Sequence, residues 1–240
     1  PMQDLLNALN SWKPFHAVVV GDFMLDRLVH GEASRLSADA PVPVLRVERR
    51  EDQAGGAANL CLNLRAMRGQ VTAIGLLGDD DEGAILRGLL RDESIDDAGL
   101  MSDPSRPTTS KQNLIGLAQA RHPQKMFRVD VESTEAPDEQ TEAKLLGAFE
   151  AALPGADVVC IEDYNKGVCS PALCAAMIEK ARGAGVPVFV DPASLSDYSK
   201  YKGATAVTPN RTEAERATGM PTHADASPEH NVRLARTMLD

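Results

Sequence analysis

The stretch Val158-Val159-Cys160-Ile161-Glu162-Asp163, a helix-length segment from Pro171 to Ala184, and then Val186-Pro187-Val188-Phe189-Val190-Asp191 decide the fold. Two short β-branched runs flank a segment with apolar residues at helical spacing. Runs that are apolar without alternation suit strands buried on both faces, which is the condition of a parallel sheet covered by helices. Working outward, the same unit recurs. Ala17 to Val20, Val71 to Leu77 and Ala204 to Val207 read as further buried strands, and Ala58 to Met67, Glu82 to Arg91 and Glu139 to Ala152 as helices. The expectation is an α/β fold with a doubly wound, mainly parallel sheet.

Two regions break the rhythm. Pro41 to Glu48 places Val42, Val44 and Val47 between charges, and Thr109 to Val131 holds two extended pieces around a turn at Ala120 to Gln124. Their alternation predicts half-exposed antiparallel strands, forming a small β lid over about 41–48 and 109–131. A lid excludes water from a reacting phosphate. Pro228 to Leu239 reads as a helix entered through Ser227, with no strand after it. The 240 residues are therefore expected to form one domain, incomplete at its C-terminus.

Composition narrows the function. With 43% hydrophobic residues the chain can bury one large core. A net charge of -10, with no basic block, excludes a nucleic-acid partner. Cys61, Cys160, Cys169 and Cys174 form no Cys-x-x-Cys pair and read as reduced core thiols. No apolar stretch is long enough for a bilayer, and no signal-peptide core opens the chain, so a cytoplasmic protein with no membrane partner is expected.

In open parallel sheets, ligands bind outside the carboxyl ends of the strands. Asp22, Asp163 and Asp191 each follow a predicted strand, so three carboxylates are expected on one edge. Singly, each suits a cap or a turn; together they could accept sugar hydroxyls or hold magnesium through water. Gly55-Gly56-Ala57-Ala58-Asn59 leads into a helix and lets backbone amides approach a ligand, although a tightly packed turn would use the same residues. It lacks the Gly-Lys-Ser or Gly-Lys-Thr of a Walker A loop. Asn210 and Glu213 stand three apart at a helix start, a spacing that serves a capping box and a ligand site equally. No Gly-x-Gly-x-x-Gly opens the first βα unit, which weighs against a nicotinamide dehydrogenase.

Gly21-Asp22, Gly55-Gly56-Ala57-Ala58-Asn59, Asp163, Asp191-Pro192 and Asn210-x-x-Glu213, in this order, resemble the ribokinase or PfkB family of carbohydrate kinases, from about Val18 onward. Within it, Gly21 to Arg27, Ser34 to Ser37, Ala40 to Val44 and Asp163 to Gly167 are most similar to members acting on D-glycero-β-D-manno-heptose 7-phosphate in lipopolysaccharide precursor synthesis. The resemblance implies a ribokinase-like fold and a kinase using ATP and magnesium. Asp22, Gly55, Gly56, Asn59 and Asp163 would bind the sugar. Arg128 and Lys166, with Lys111 and Arg35, would clamp its phosphate, since Arg offers a fork matched to phosphate oxygens. Asn210 and Glu213 would organise the ATP phosphates, with Glu213 reaching the metal through water. Lid strands suggest a homodimer.

Two departures stand out. Glu162 takes the place of a small Ser before Asp163-Tyr164, and the family's Gly-Ala-Gly-Asp motif does not occur in the 240 residues. The catalytic base is thus expected beyond Asp240. The alternatives are another PfkB-type sugar or sugar-phosphate kinase and a non-catalytic sugar-phosphate sensor.

Overall fold

Strands that are apolar on both sides need a helical layer on each face, and the computed structural model has both. It describes residues 13–117 and 122–239, with Asp4, Asn7 and Ser11 besides. Ala120 and Arg121 of the expected turn lie outside the described residues. The first half runs β1 (His16–Gly21), β2 (Phe23–Leu36), β3 (Pro43–Gly56), α1 (Ala57–Ala66), β4 (Gln70–Gly78), α2 (Asp81–Asp92), β5 (Asp96–Asp103), β6 (Thr109–Leu117) and β7 (Gln124–Val131). Then follow α3 (Glu139–Ala152), β8 (Val158–Glu162), α4 (Pro171–Gly183), β9 (Val188–Asp191), β10 (Ala206–Val207), α5 (Arg211–Thr218) and α6 (Pro228–Leu239).

Six strands form the central sheet in the order β10-β9-β8-β1-β4-β5, every pair parallel. Alternate residues feed two cores. Val18, Val20, Ile161 and Val190 pack with Phe149 of α3 and Met177 of α4, while Ala17, Val19 and Ala73 pack with Cys61 of α1 and Leu86 of α2. Phe149 is fully buried, a burial that stabilises by roughly 1.5–3 kcal/mol. Helix starts are set by side chains: Asp80, Asp138 and Ser170 each accept a backbone N–H from the first turn, and Pro171 follows Ser170.

The expected strands and helices of the central layer are present, with three differences, the first being that β10 takes only Ala206–Val207 of the expected 204–207 run. The ninth strand begins at Val188, because Pro187 has no N–H to give a ladder. β5 was not expected; it is an edge strand of Asp, Ala, Gly, Leu, Met and Ser residues without a β-branched run.

The second sheet has four strands in the order β3-β2-β6-β7. Its first hairpin is far longer than the predicted 41–48 segment, since β2 and β3 have 14 residues each and pair along nearly their whole length. It is also mixed: β2 pairs with β6 in parallel, and only the other two pairs are antiparallel. From β1 the central sheet grows through β4 on one side and β8 on the other, so the carboxyl end of β1 is a topological switch point.

Candidate functional site

Asp22 sits at that switch point, 1% exposed. Its Oδ2 accepts the backbone N–H of Tyr164 at 2.8 Å and of Lys166 at 3.0 Å, and Oδ1 accepts that of Val168 at 3.3 Å. Burial pushes its pKa up, and the amides oppose this. Asp163 is equally enclosed: it takes the Tyr201 hydroxyl at 2.7 Å, the Lys200 ammonium at 2.5 Å and the Asn165 amide at 2.8 Å, and its side chain is 0% exposed. Neither carboxylate presents an open face. Both carboxylates brace the loop from Asp163 to Val168, and their saturation follows from burial, since buried carboxylates need donors.

The open carboxylate is Asp26, which the sequence reading did not single out. On β2 it is the register partner of Gln53 on β3 and of Lys111 on β6, so these side chains share one face of the small sheet. The Lys111 ammonium lies over the Tyr164 ring, 5.4 Å from its centroid, so that face looks onto the braced loop. Among the described residues neither Asp26 nor Lys111 is held in an ion pair. A free carboxylate beside a free ammonium suits a substrate with both hydroxyls and anionic oxygens. The clue was in the sequence: Asp26 follows the apolar Phe23-Met24-Leu25 run, four residues after Asp22.

Gly55 and Gly56 end β3 and run straight into α1, with no side chain capping that helix. A Cβ on Gly55 would lie 2.7 Å from Asp26 Oδ2; Gly56 has φ 54°, and a Cβ there would lie 2.5 Å from the Asp22 carbonyl oxygen. The glycines therefore let the small sheet close against the end of β1 and leave room for the Asp26 carboxylate. Asn59 is exposed on the first turn of α1.

The basic candidates divide. Lys166 is largely buried and pairs with Glu132 at 2.7 Å. Arg128 is on edge strand β7, more than half exposed, with its fork on Asp130 at 2.8 Å through both Nε and Nη2. Arg35, expected nearby, lies at the hairpin tip nine residues along β2 from Asp26, about 30 Å away at 3.3 Å per residue. Arg106, not singled out before, joins the carbonyls of Ser133, Glu135 and Lys166 and so ties the exit of β7 to the braced loop.

On the other side of Tyr164 lies an acidic group. Glu162 and Asp191 are register neighbours on β8 and β9; burial, and then the charge of Asp191, push Glu162 up to about 7, and burial raises Asp191 as well. Charges of Glu162, Asp191, Asp26 and Glu213 all act on Tyr164. Asn210 and Glu213 form a complete capping box: the Asn210 N–H donates to Glu213 Oε2 at 2.7 Å and the Glu213 N–H to Asn210 Oδ1 at 3.1 Å. Among the described residues no set of three His, Cys, Asp or Glu side chains closes on a metal position. Carboxylate oxygens spread too widely for direct ligation fit a hydrated magnesium ion that keeps its waters.

Comparison with known proteins gives a consistent picture. A model described as pfkB family carbohydrate kinase matches residues 15–235. The bifunctional protein HldE of Caulobacter vibrioides is 44% identical over 212 residues, covering 88% of this chain and 42% of that protein. The protein of the same name from Gluconacetobacter diazotrophicus is 40% identical over 223 residues, covering 92% and 44%. The chain thus spans less than half the length of these relatives. Among solved structures, Arabidopsis thaliana ribokinase complexed with ribose and ATP aligns with a TM-score of 0.64 at 19% identity, over 94% of this chain and 69% of that one. Escherichia coli phosphofructokinase-2, in its tetrameric inhibited form, aligns at 0.66 with 18% identity, over 94% and 70%. At such identities the likeness is one of fold.

Proposed function

The chain belongs to the pfkB family of carbohydrate kinases, and from that premise we propose that it serves the ATP-dependent phosphorylation of the C1 hydroxyl of D-glycero-β-D-manno-heptose 7-phosphate. The product is the 1,7-bisphosphate, a precursor of lipopolysaccharide core heptose. The observation that carries the reading is the Asp26–Lys111 couple, in no ion pair among the described residues, facing Tyr164 across the switch point.

The sugar lies between the small sheet and the braced loop. Asp26 accepts its hydroxyls, Gly55, Gly56 and Asn59 border it, and Lys111, Arg128 and Lys166 supply positive charge toward its phosphate. For this, Arg128 and Lys166 exchange Asp130 and Glu132 for the incoming dianion, which offers more acceptor oxygens. Asp22 and Asp163 act through the loop that they hold. ATP lies at the start of α5, where Asn210 and Glu213 orient its phosphates. Glu213 would hold magnesium through water, and the ion would supply charge neutralisation for the transferred phosphoryl group. The general base for the C1 hydroxyl belongs, as the family resemblance implies, to a Gly-Ala-Gly-Asp segment beyond Asp240. The small sheet acts as the lid, and a second copy of the chain is the proposed partner of its strands.

A substrate panel on the whole natural protein tests the reading. ADP release with heptose 7-phosphate is expected. Turnover of fructose 1-phosphate without turnover of the heptose would replace the substrate, and tight sugar-phosphate binding with no turnover would make the protein a sensor.

A further inference from the structure

The row of the small sheet beyond Asp26 and Lys111 contains an unpaid hydrogen-bonding group. Glu51, Leu28, Asn113 and Arg128 are register partners across the four strands, two residues further along each, and so share the face that carries Asp26 and Lys111. Asn113 is 9% exposed, and its Oδ1 is buried and has no hydrogen-bond donor among the described residues. The neighbours explain why: Leu28 has nothing to donate, Glu51 only accepts and is paired with Arg49, and Arg128 turns its fork to Asp130. In the next row His30 Nε2 is likewise buried and unpartnered.

Buried side-chain polar atoms are nearly always satisfied, and an orphaned carbonyl weakens the fold. Here the deficit falls on the substrate-facing side, about 7 Å beyond Lys111 by strand geometry. Resting on the function proposed above, we infer that Asn113 is a specificity-determining residue that reads the sugar hydroxyl next to the phosphorylated end, the C6 hydroxyl of heptose 7-phosphate. That hydroxyl donates to Oδ1. The placement follows from the row itself: Arg128, the phosphate clamp, is the cross-strand partner of Asn113, so the carbon beside the phosphate ester lies beside the amide. A carbonyl acceptor selects strongly, because an analogue without the hydroxyl leaves it unpaired again.

The test compares kcat/KM for heptose 7-phosphate and its 6-deoxy analogue, using the whole natural protein and its Asn113→Leu and Asn113→Ala variants, with thermal midpoints of the ligand-free forms. Wild type is expected to prefer the natural sugar at least 10-fold; both variants should lose that preference, mainly through KM for the sugar, with KM for ATP and the thermal midpoint held or the midpoint raised. Preference retained in the variants, or absent in wild type, overturns the inference. So does a variant that melts earlier or fails to fold, since the amide would then be structural. A wild type that does not turn over heptose 7-phosphate overturns the substrate reading and this inference with it, which separates the two failures.

Discussion

The central sheet and the small sheet handle the two faces of a strand in opposite ways. In the central sheet both faces are covered, and strand residues such as Val18, Val19, Val159 and Val188 are fully buried. At its carboxyl edge the buried carboxylates of Asp22 and Asp163 are saturated with donors. The small sheet leaves Phe127, Val129 and Val131 exposed on one face and, among the described residues, keeps Asp26, Lys111 and Asn113 without ion pairs or full hydrogen bonding on the other. The most buried carboxylates of the one sheet are satisfied within the chain; the other holds groups for something else to satisfy. Rigidity and binding are thus divided between two sheets that meet at Gly55, Gly56 and the end of β1.

That division can be broken from either side. Phe149→Ala, in the core under the central sheet, should cost about 3–5 kcal/mol and lower the melting midpoint of the whole chain, as read by calorimetry. Asp26→Asn should leave that midpoint nearly unchanged while cutting kcat/KM for the sugar roughly 100-fold, about 2.7 kcal/mol. An equal loss of stability would mean that Asp26 belongs to the scaffold. Glu162 lies at the boundary between the two behaviours. Folding raises its pKa from 4.5 to about 7, so the folded chain keeps a proton that the unfolded chain has released. Stability from this group is full below pH 4.5 and is lost as pH climbs to about 7. Glu162→Gln should flatten that decline and stabilise at pH 8 by on the order of 1–2 kcal/mol, allowing for partial solvent screening; denaturant melts across pH would reveal an unchanged slope if it does not. Phe127→Ser should change monomer stability by less than about 0.5 kcal/mol, because the ring is exposed, and lower self-association in sedimentation if a second copy covers that face.

The central layer was legible because its signals are local. Runs such as Val158 to Ile161 have no alternative to burial on both faces, and Asp80, Asp138, Ser170 and Asn210 mark helix starts within a few residues of sequence. The small sheet was half legible: Val42, Val44 and Val47 showed alternation, but the charged course of β3 from Arg46 to Asp52 hid a strand whose order comes from pairing with β2. The roles of the carboxylates were the least visible. Asp22 and Asp26 sit four apart on the same ascending chain, and only the path of the 163–168 loop determines which is saturated and which is open. The Asn210–Glu213 pair shows the converse, since the capping geometry that the spacing allowed is present and leaves any nucleotide role to experiment.

The grip of Asp22 on Tyr164, Lys166 and Val168 spans 142, 144 and 146 residues. At 5–20 residues per second, a ribosome needs roughly 7–30 s to deliver the amides that satisfy this carboxylate. Until then β1 has β4 on one side and an open edge on the other, awaiting β8. Its Ala17-Val18-Val19-Val20 run is the kind of edge that recruits another chain, so the nascent protein is most vulnerable between the synthesis of β4 and that of β8. A single aspartate thus ties the completion of the sheet to the arrival of a distant loop and makes folding of the first half wait for the second.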